Sequence, residues 1–176
     1  MHALIVGDRG VGKSTLIRRC LKELNCPVRG FETKKEAQPE DPILGCPIYI
    51  YDAGKPHHRT PENFIGYHRQ PDAAAITSAF DRYAPKLLEP MSSGCVIELD
   101  EIGFLEAGAQ GFCQAVMQLL DADTPVIAAV KSRDIPFLKA IREHPNARCF
   151  YITAENRDVL YEEVLTFMRQ QLEECL

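Results

Sequence analysis

The chain has 176 residues, 45% hydrophobic and 26% charged, which is enough for one compact core and too apolar for a disordered or collagen-like chain. Twenty Lys and Arg face 25 Asp and Glu, a formal charge of −5, so no global field draws it to nucleic acid or to anionic lipid. No apolar run nears the ~20 residues that cross a bilayer, and Met1–Val6 lacks the basic region of a signal peptide, which predicts a cytoplasmic protein away from membranes.

Ala3–Val6 is a short apolar run followed at once by Gly7-Asp8-Arg9-Gly10-Val11-Gly12-Lys13-Ser14-Thr15, which fits G-x-x-x-x-G-K-[ST]. Strand, glycine-rich turn and helix in that order predict a phosphate-binding loop. Glycines let successive backbone N–H groups curl round a phosphate with no side chain in the way. The helix that follows adds unpaired N–H groups and the positive end of its dipole. In that frame Lys13 reaches the β- and γ-phosphates, Ser14 ligates Mg²⁺ and Thr15 is a second hydroxyl near the phosphates. Gly7, Asp8, Arg9, Gly10, Val11 and Gly12 form the cradle. Leu16, Ile17, Cys20, Leu21 and Leu24 then make one apolar stripe at helical spacing.

Seven of the 12 prolines fall between Pro27 and Pro71, and the stretch from Pro27 to Pro90 offers the strand Ile48–Tyr51 among several strand-like pieces broken by turns. The expectation for 27–90 is an irregular surface region, a lid or switch, carried on a single domain that spans 1–176. Its adjacent His57 and His58 have no cysteine or carboxylate at metal-ligand spacing, which argues against a transition metal.

Cys95–Leu99 predicts a buried strand that ends in Asp100 and Glu101. A nucleoside triphosphatase needs such a carboxylate beside its phosphate loop, and Asp100 is expected to hold a Mg²⁺-bound water. Glu101, one residue on, is placed to orient and deprotonate a water attacking the γ-phosphate. Phe112, Val116, Leu119 and Leu120 mark a helix, Val126–Val130 a strand, and Pro136 the first turn of a helix that stops at Pro145. Cys149–Thr153 predicts a last strand, and Leu160, Val164, Phe167, Met168 and Leu172 a last helix. Arg9, Arg133 and Arg157 are candidates to neutralise charge on the departing γ-phosphoryl group, with Arg59 and Arg69 as lid-borne alternatives. The seven cysteines are an odd number with no C-x-x-C pair, which predicts free thiols. Apolar runs alternating with helical stripes predict an α/β fold with a mostly parallel sheet.

In these motifs and in several further segments, the chain resembles the small P-loop nucleoside triphosphatase family called THEP1. The resemblance covers most of the sequence and rests on Gly7 to Ser14, on Gly30-Phe31-Glu32-Thr33 against the family's G-F-x-T, and on Asp100-Glu101-Ile102-Gly103-Phe104-Leu105-Glu106 against D-E-x-G-x-[ML]-E. Thr153 to Leu160 is similar to T-x-x-N-R-D-x-L. The resemblance implies a RecA-like core with an additional strand and slow, Mg²⁺-dependent hydrolysis of nucleoside 5′-triphosphates to diphosphate and phosphate. It further implies broad base tolerance, nucleotide and metal roles for Lys13, Ser14 and Asp100, and a base at Glu101. Arg9 stands where the family often has proline, and Lys34, Lys35 and Glu36 where its G-F-x-T usually continues to glutamate and arginine. Asn156 and Arg157 follow the last strand, at the sheet end where ligands bind in such folds. One reading sets them against the nucleotide; the other makes Asn156 or Asp158 a helix cap and Arg157 a surface residue.

Asp52-Ala53-Gly54 and Lys131-Ser132-Arg133-Asp134 miss the guanine-specific D-x-x-G and N-K-x-D spacings. A nucleotide or small-molecule kinase shares the phosphate loop, although Glu101 promotes the water attack that a kinase suppresses. The alternative outside enzymology is a nucleotide-dependent switch whose output is a protein partner.

Overall fold

The computed structural model describes residues 1–37, 43–69, 73–90, 92–103 and 106–175, with the backbone alone for 73–75. In chain order the elements are β1 (His2–Gly7), α1 (Lys13–Leu24), β2 (Val28–Lys35), β3 (Pro47–Asp52), β4 (Phe64–Tyr67), α2 (Ala73–Leu87) and β5 (Val96–Ile102). A 3-10 turn at Glu106–Gly108 follows, then α3 (Gln110–Asp121), β6 (Val126–Lys131), α4 (Pro136–Arg142), β7 (Ala147–Tyr151) and α5 (Arg157–Glu174). The strands form one sheet in the order β4-β3-β2-β5-β6-β1-β7. Strands β2, β5, β6, β1 and β7 pair in parallel, and β3 and β4 extend the sheet antiparallel. This is the RecA-like P-loop α/β arrangement. Its additional strand, β6, lies between the strand that feeds the phosphate loop and the strand that ends in the acidic pair.

Both faces of the central strands are covered, and the strand period shows it. In β1, Leu4 and Val6 pack into the core under α2, α3 and α4, whereas Ala3 and Ile5 pack under α1 and α5. The stripes of α1 and α5 meet on that second face through Leu16, Ile17, Leu160, Val164 and Met168. Pro136 opens α4 at its first turn, as its missing N–H allows. None of the seven cysteines is joined in a disulfide. Among the described residues, no helix is long and apolar enough to cross a membrane.

Two expectations need correction. The 27–90 stretch is not irregular where the structure describes it: it supplies β2, β3, β4 and α2. Phe31 of β2 is fully buried against Phe80 and Tyr83 of α2 and Phe112 of α3, with ring centroids 5.4–5.8 Å apart. β2 escapes notice because Arg29, Glu32, Lys34 and Lys35 interrupt any apolar run, although the strand is sheet-central. In α2 the buried Ile76, Phe80, Tyr83 and Leu87 do keep helical spacing, but Pro85 and the prolines upstream mask it. The positions 38–42 and 70–72 of that stretch lie outside the described residues. The last strand runs Ala147–Tyr151 rather than Cys149–Thr153. Asn156 draws the chain out of the sheet there: its Nδ2 donates to Tyr151 O at 2.8 Å, and its Oδ1 accepts the Thr153 N–H at 2.8 Å.

Candidate functional site

The C-terminal ends of β1, β5 and β6 lie side by side, and the predicted residues converge there. Between β1 and α1 the chain turns through Gly10 and Gly12, whose φ values of 83° and 106° belong to the left-handed region. A Cβ on Gly7 would sit 2.8 Å from Ile152 O, so this position also excludes a side chain by close approach. Asp8, Arg9 and Gly10 are exposed, Val11 and Gly12 half-buried, and Thr15 exposed. Asp8 accepts a hydrogen bond from the Ser132 hydroxyl, which ties the loop to the segment after β6.

Lys13 is buried, and its Nζ donates to Gly7 O at 2.9 Å and Asp8 O at 2.8 Å. Burial pushes its ammonium below the usual lysine range, with Glu101 pulling the other way. Ser14 Oγ donates to Asp100 Oδ1 at 2.7 Å. Burial raises the Asp100 carboxyl above the usual carboxylate range, opposed by that hydrogen bond from Ser14. Glu101 lies between two lysines: Lys13 Nζ is 3.8 Å from its Oε2 and Lys131 Nζ 3.1 Å from its Oε1. The pairing of β5 with β6 slips between Asp100 and Ile102, which leaves Glu101 between paired residues at the edge of the site.

Sequence reasoning missed two acids that the fold adds beside Asp100. Glu98 precedes it by two residues and so shares its strand face, and Glu32 of β2 pairs in register with it. Ligand atoms of Glu32, Glu98 and Asp100 lie within 4.8 Å of one another. Glu98 Oε1 and Glu32 Oε2 are sealed from solvent with no aligned hydrogen bond, although Lys34 Nζ approaches Glu32 Oε2 to 2.6 Å. Burial, then Glu32 and Asp100, push the Glu98 carboxyl up to about 8. Clustered hard oxygens, two of them without aligned hydrogen-bond donors, together with the Ser14 hydroxyl, are the donor chemistry that Mg²⁺ takes. The signal available was the two-residue spacing of Glu98 and Asp100 on one strand.

Arg157 is exposed and lies over the loop, where a Cβ on Gly12 would come 3.4 Å from its Cδ. Asn156 uses its amide on the backbone of Tyr151 and Thr153. Arg9 and Arg133 are exposed near the loop and after β6, while Arg59 pairs with Glu36 at 2.5 Å. His57 stacks on Tyr51, ring centroids 4.2 Å apart. Of the acidic motif, Glu106 is buried and accepts the Gly103 N–H at 2.8 Å, while Phe104 and Leu105 lie outside the described residues.

Comparison with known proteins agrees with this fold. The NTPase family model matches residues 2–165. The chain is 29% identical over 178 residues to a nucleoside-triphosphatase THEP1 of Aquifex aeolicus, covering 97% of this chain and 100% of that protein. It is similar to the crystal structure of THEP1 from the hyperthermophile Aquifex aeolicus, with a TM-score of 0.64, 25% identity and coverage of 95% and 98% of the two chains. The solution structure of a human cancer-related nucleoside triphosphatase gives a TM-score of 0.66 at 25% identity, covering 96% and 97%. With a phosphate loop, an acidic strand end and a family model that spans nearly the whole sequence, the chain belongs to the THEP1-like NTPase family of small P-loop nucleoside triphosphatases.

Proposed function

We propose that this protein hydrolyses nucleoside 5′-triphosphates, ATP and GTP and also CTP or UTP, to the diphosphate and phosphate, with residues 1–176 acting as one P-loop domain. The observation that carries the reading is Glu101, which follows the Ser14-bonded Asp100 and stands within 4 Å of the phosphate-loop lysine. Backbone N–H groups of Gly7 to Thr15 receive the phosphates, and Lys13 turns from Gly7 O and Asp8 O to the β- and γ-oxygens. Ser14 and Asp100 would hold Mg²⁺, which would supply charge neutralisation to the β- and γ-phosphates. Glu101 orients a water in line with the γ-phosphorus. The water oxygen bonds to that phosphorus, the bond to the β–γ bridging oxygen breaks, the diphosphate leaves and Glu101 takes the water's proton. Arg157, lying over Gly12, covers the nucleotide from α5, and Asn156 fixes the turn that presents it. Base tolerance follows because the contacts proposed for the loop, Lys13 and Ser14 are all to phosphate and metal.

Phosphate release from ATP, GTP, CTP and UTP with Glu101→Gln as control tests this reading. The expected result is comparable release from the four nucleotides and a loss of about 100-fold or more in the variant, with Mg-nucleotide binding retained. Wild-type turnover in the variant removes Glu101 from the reaction, and release confined to one base overturns the breadth.

A further inference from the structure

We infer that Lys131 is a positioning residue for Glu101, holding one carboxylate oxygen so that the other is presented to the attacking water. The inference rests on the reading of Glu101 as the base. Lys131 Nζ lies 3.1 Å from Glu101 Oε1, an oxygen sealed from solvent with no aligned hydrogen bond. Such an oxygen is stabilised by a nearby opposite charge, and pinning it fixes the plane of the carboxylate. Oε2 faces Lys13 at 3.8 Å, and a triphosphate competes for that lysine. Nucleotide binding therefore draws Lys13 away from Oε2 while Lys131 keeps Oε1. The base changes from a group held at both oxygens to one held at a single oxygen.

The carrier of Lys131 is rigid. Its residue ends β6, its backbone pairs with Gly7 of β1, and its carbonyl accepts Arg142 Nη1 at 3.3 Å. A Cβ on Gly103 would meet Lys131 Cδ and Nζ, both at 3.1 Å, and Glu106 Oε2 at 3.4 Å. The lysine stem thus lies across the bare Cα of Gly103 with the buried Glu106 carboxylate beside it, and Lys131 and Glu106 interact electrostatically. Two residues of the acidic motif acquire a purpose: Gly103 leaves room for the lysine, and Glu106 balances its charge between two acids.

Lys131→Met, Lys131→Arg and the double variant Lys131→Met with Glu101→Gln test the inference. Lys131→Met is expected to lower kcat on the order of 10- to 100-fold, as misplacement of a reacting group does, with KM and melting temperature near wild type. Lys131→Arg is expected to recover most of kcat, and Lys131→Met to add no further loss in the Glu101→Gln background. Full activity in Lys131→Met, with Glu101→Gln inactive, overturns this inference and leaves Glu101 as the base. Equal losses in both backgrounds also overturn it. So does a Lys131→Met protein that binds a non-hydrolysable triphosphate more weakly but binds the diphosphate normally, since Lys131 then touches the γ-phosphate itself. An active Glu101→Gln removes the reading beneath it.

Discussion

Ser14 Oγ donates to Asp100 Oδ1 across 2.7 Å, joining the first turn of α1 to the end of β5 although β6 separates the two strands in the sheet. The contact holds the hydroxyl and the carboxylate side by side, as a shared cation requires. Ser14→Ala removes one donor of that pair and leaves a buried acid without its hydrogen bond. The expected outcome is a roughly 10- to 100-fold rise in the Mg²⁺ concentration for half-maximal hydrolysis, restored in large part by Ser14→Thr. Titration of phosphate release with Mg²⁺ measures it, and an unchanged midpoint contradicts the assignment of Ser14.

Glu98 gives stability a pH dependence whose sign is fixed by its environment. Its carboxyl is raised from 4.5 to about 8 in the folded protein. Folding therefore holds a proton that the unfolded chain has released. The stabilisation is full below about 4.5 and is lost as pH rises towards 8, at a slope of about 1.4 kcal/mol per pH unit for one such group. Urea unfolding of the metal-free protein at several pH values in this window is expected to show stability falling more steeply with rising pH in wild type than in Glu98→Gln, because His2, lowered to about 4, and the raised Asp100 and Glu106 carboxyls add their own slopes to both proteins. Parallel pH profiles for the two proteins remove Glu98 as the source.

Phe31 anchors β2 to the core, fully buried among three aromatic rings. Phe31→Ala is expected to destabilise the fold by roughly 3–5 kcal/mol through lost burial and the cavity left behind. Urea midpoints against wild type measure it. A loss within about 0.5 kcal/mol, the size expected of a surface change, contradicts the central placement of β2.

The phosphate loop and the Asp100-Glu101 pair are legible in the sequence because each is a contiguous run whose chemistry depends on near neighbours. Strands β1, β3, β5 and β6 are legible for the same reason, as apolar runs buried on both faces. β2 is not, because one of its faces is charged and meets Asp100 only through strand register. Lys131 is invisible for a related reason. Thirty residues part it from Glu101, and nothing local distinguishes it from any lysine at a strand end. Asn156 is a milder case. Its motif is legible, but its amide serves the turn backbone, and only the folded geometry reveals why β7 stops two residues early.

The strand between β1 and β5 is also a ruler. Hydrogen-bonded strands stand about 4.8 Å apart, so one intervening strand sets the phosphate loop and the acidic end roughly 10 Å from each other at the level of the backbone. Five parallel pairings lock β5 to β6 and five lock β6 to β1. That gap is set by backbone hydrogen bonding between the strands, not by side chains. Tuning of this site is therefore a matter of side-chain reach alone: a methylene more or less at Ser14, Asp100, Glu101 or Lys131 is the smallest adjustment that the architecture permits.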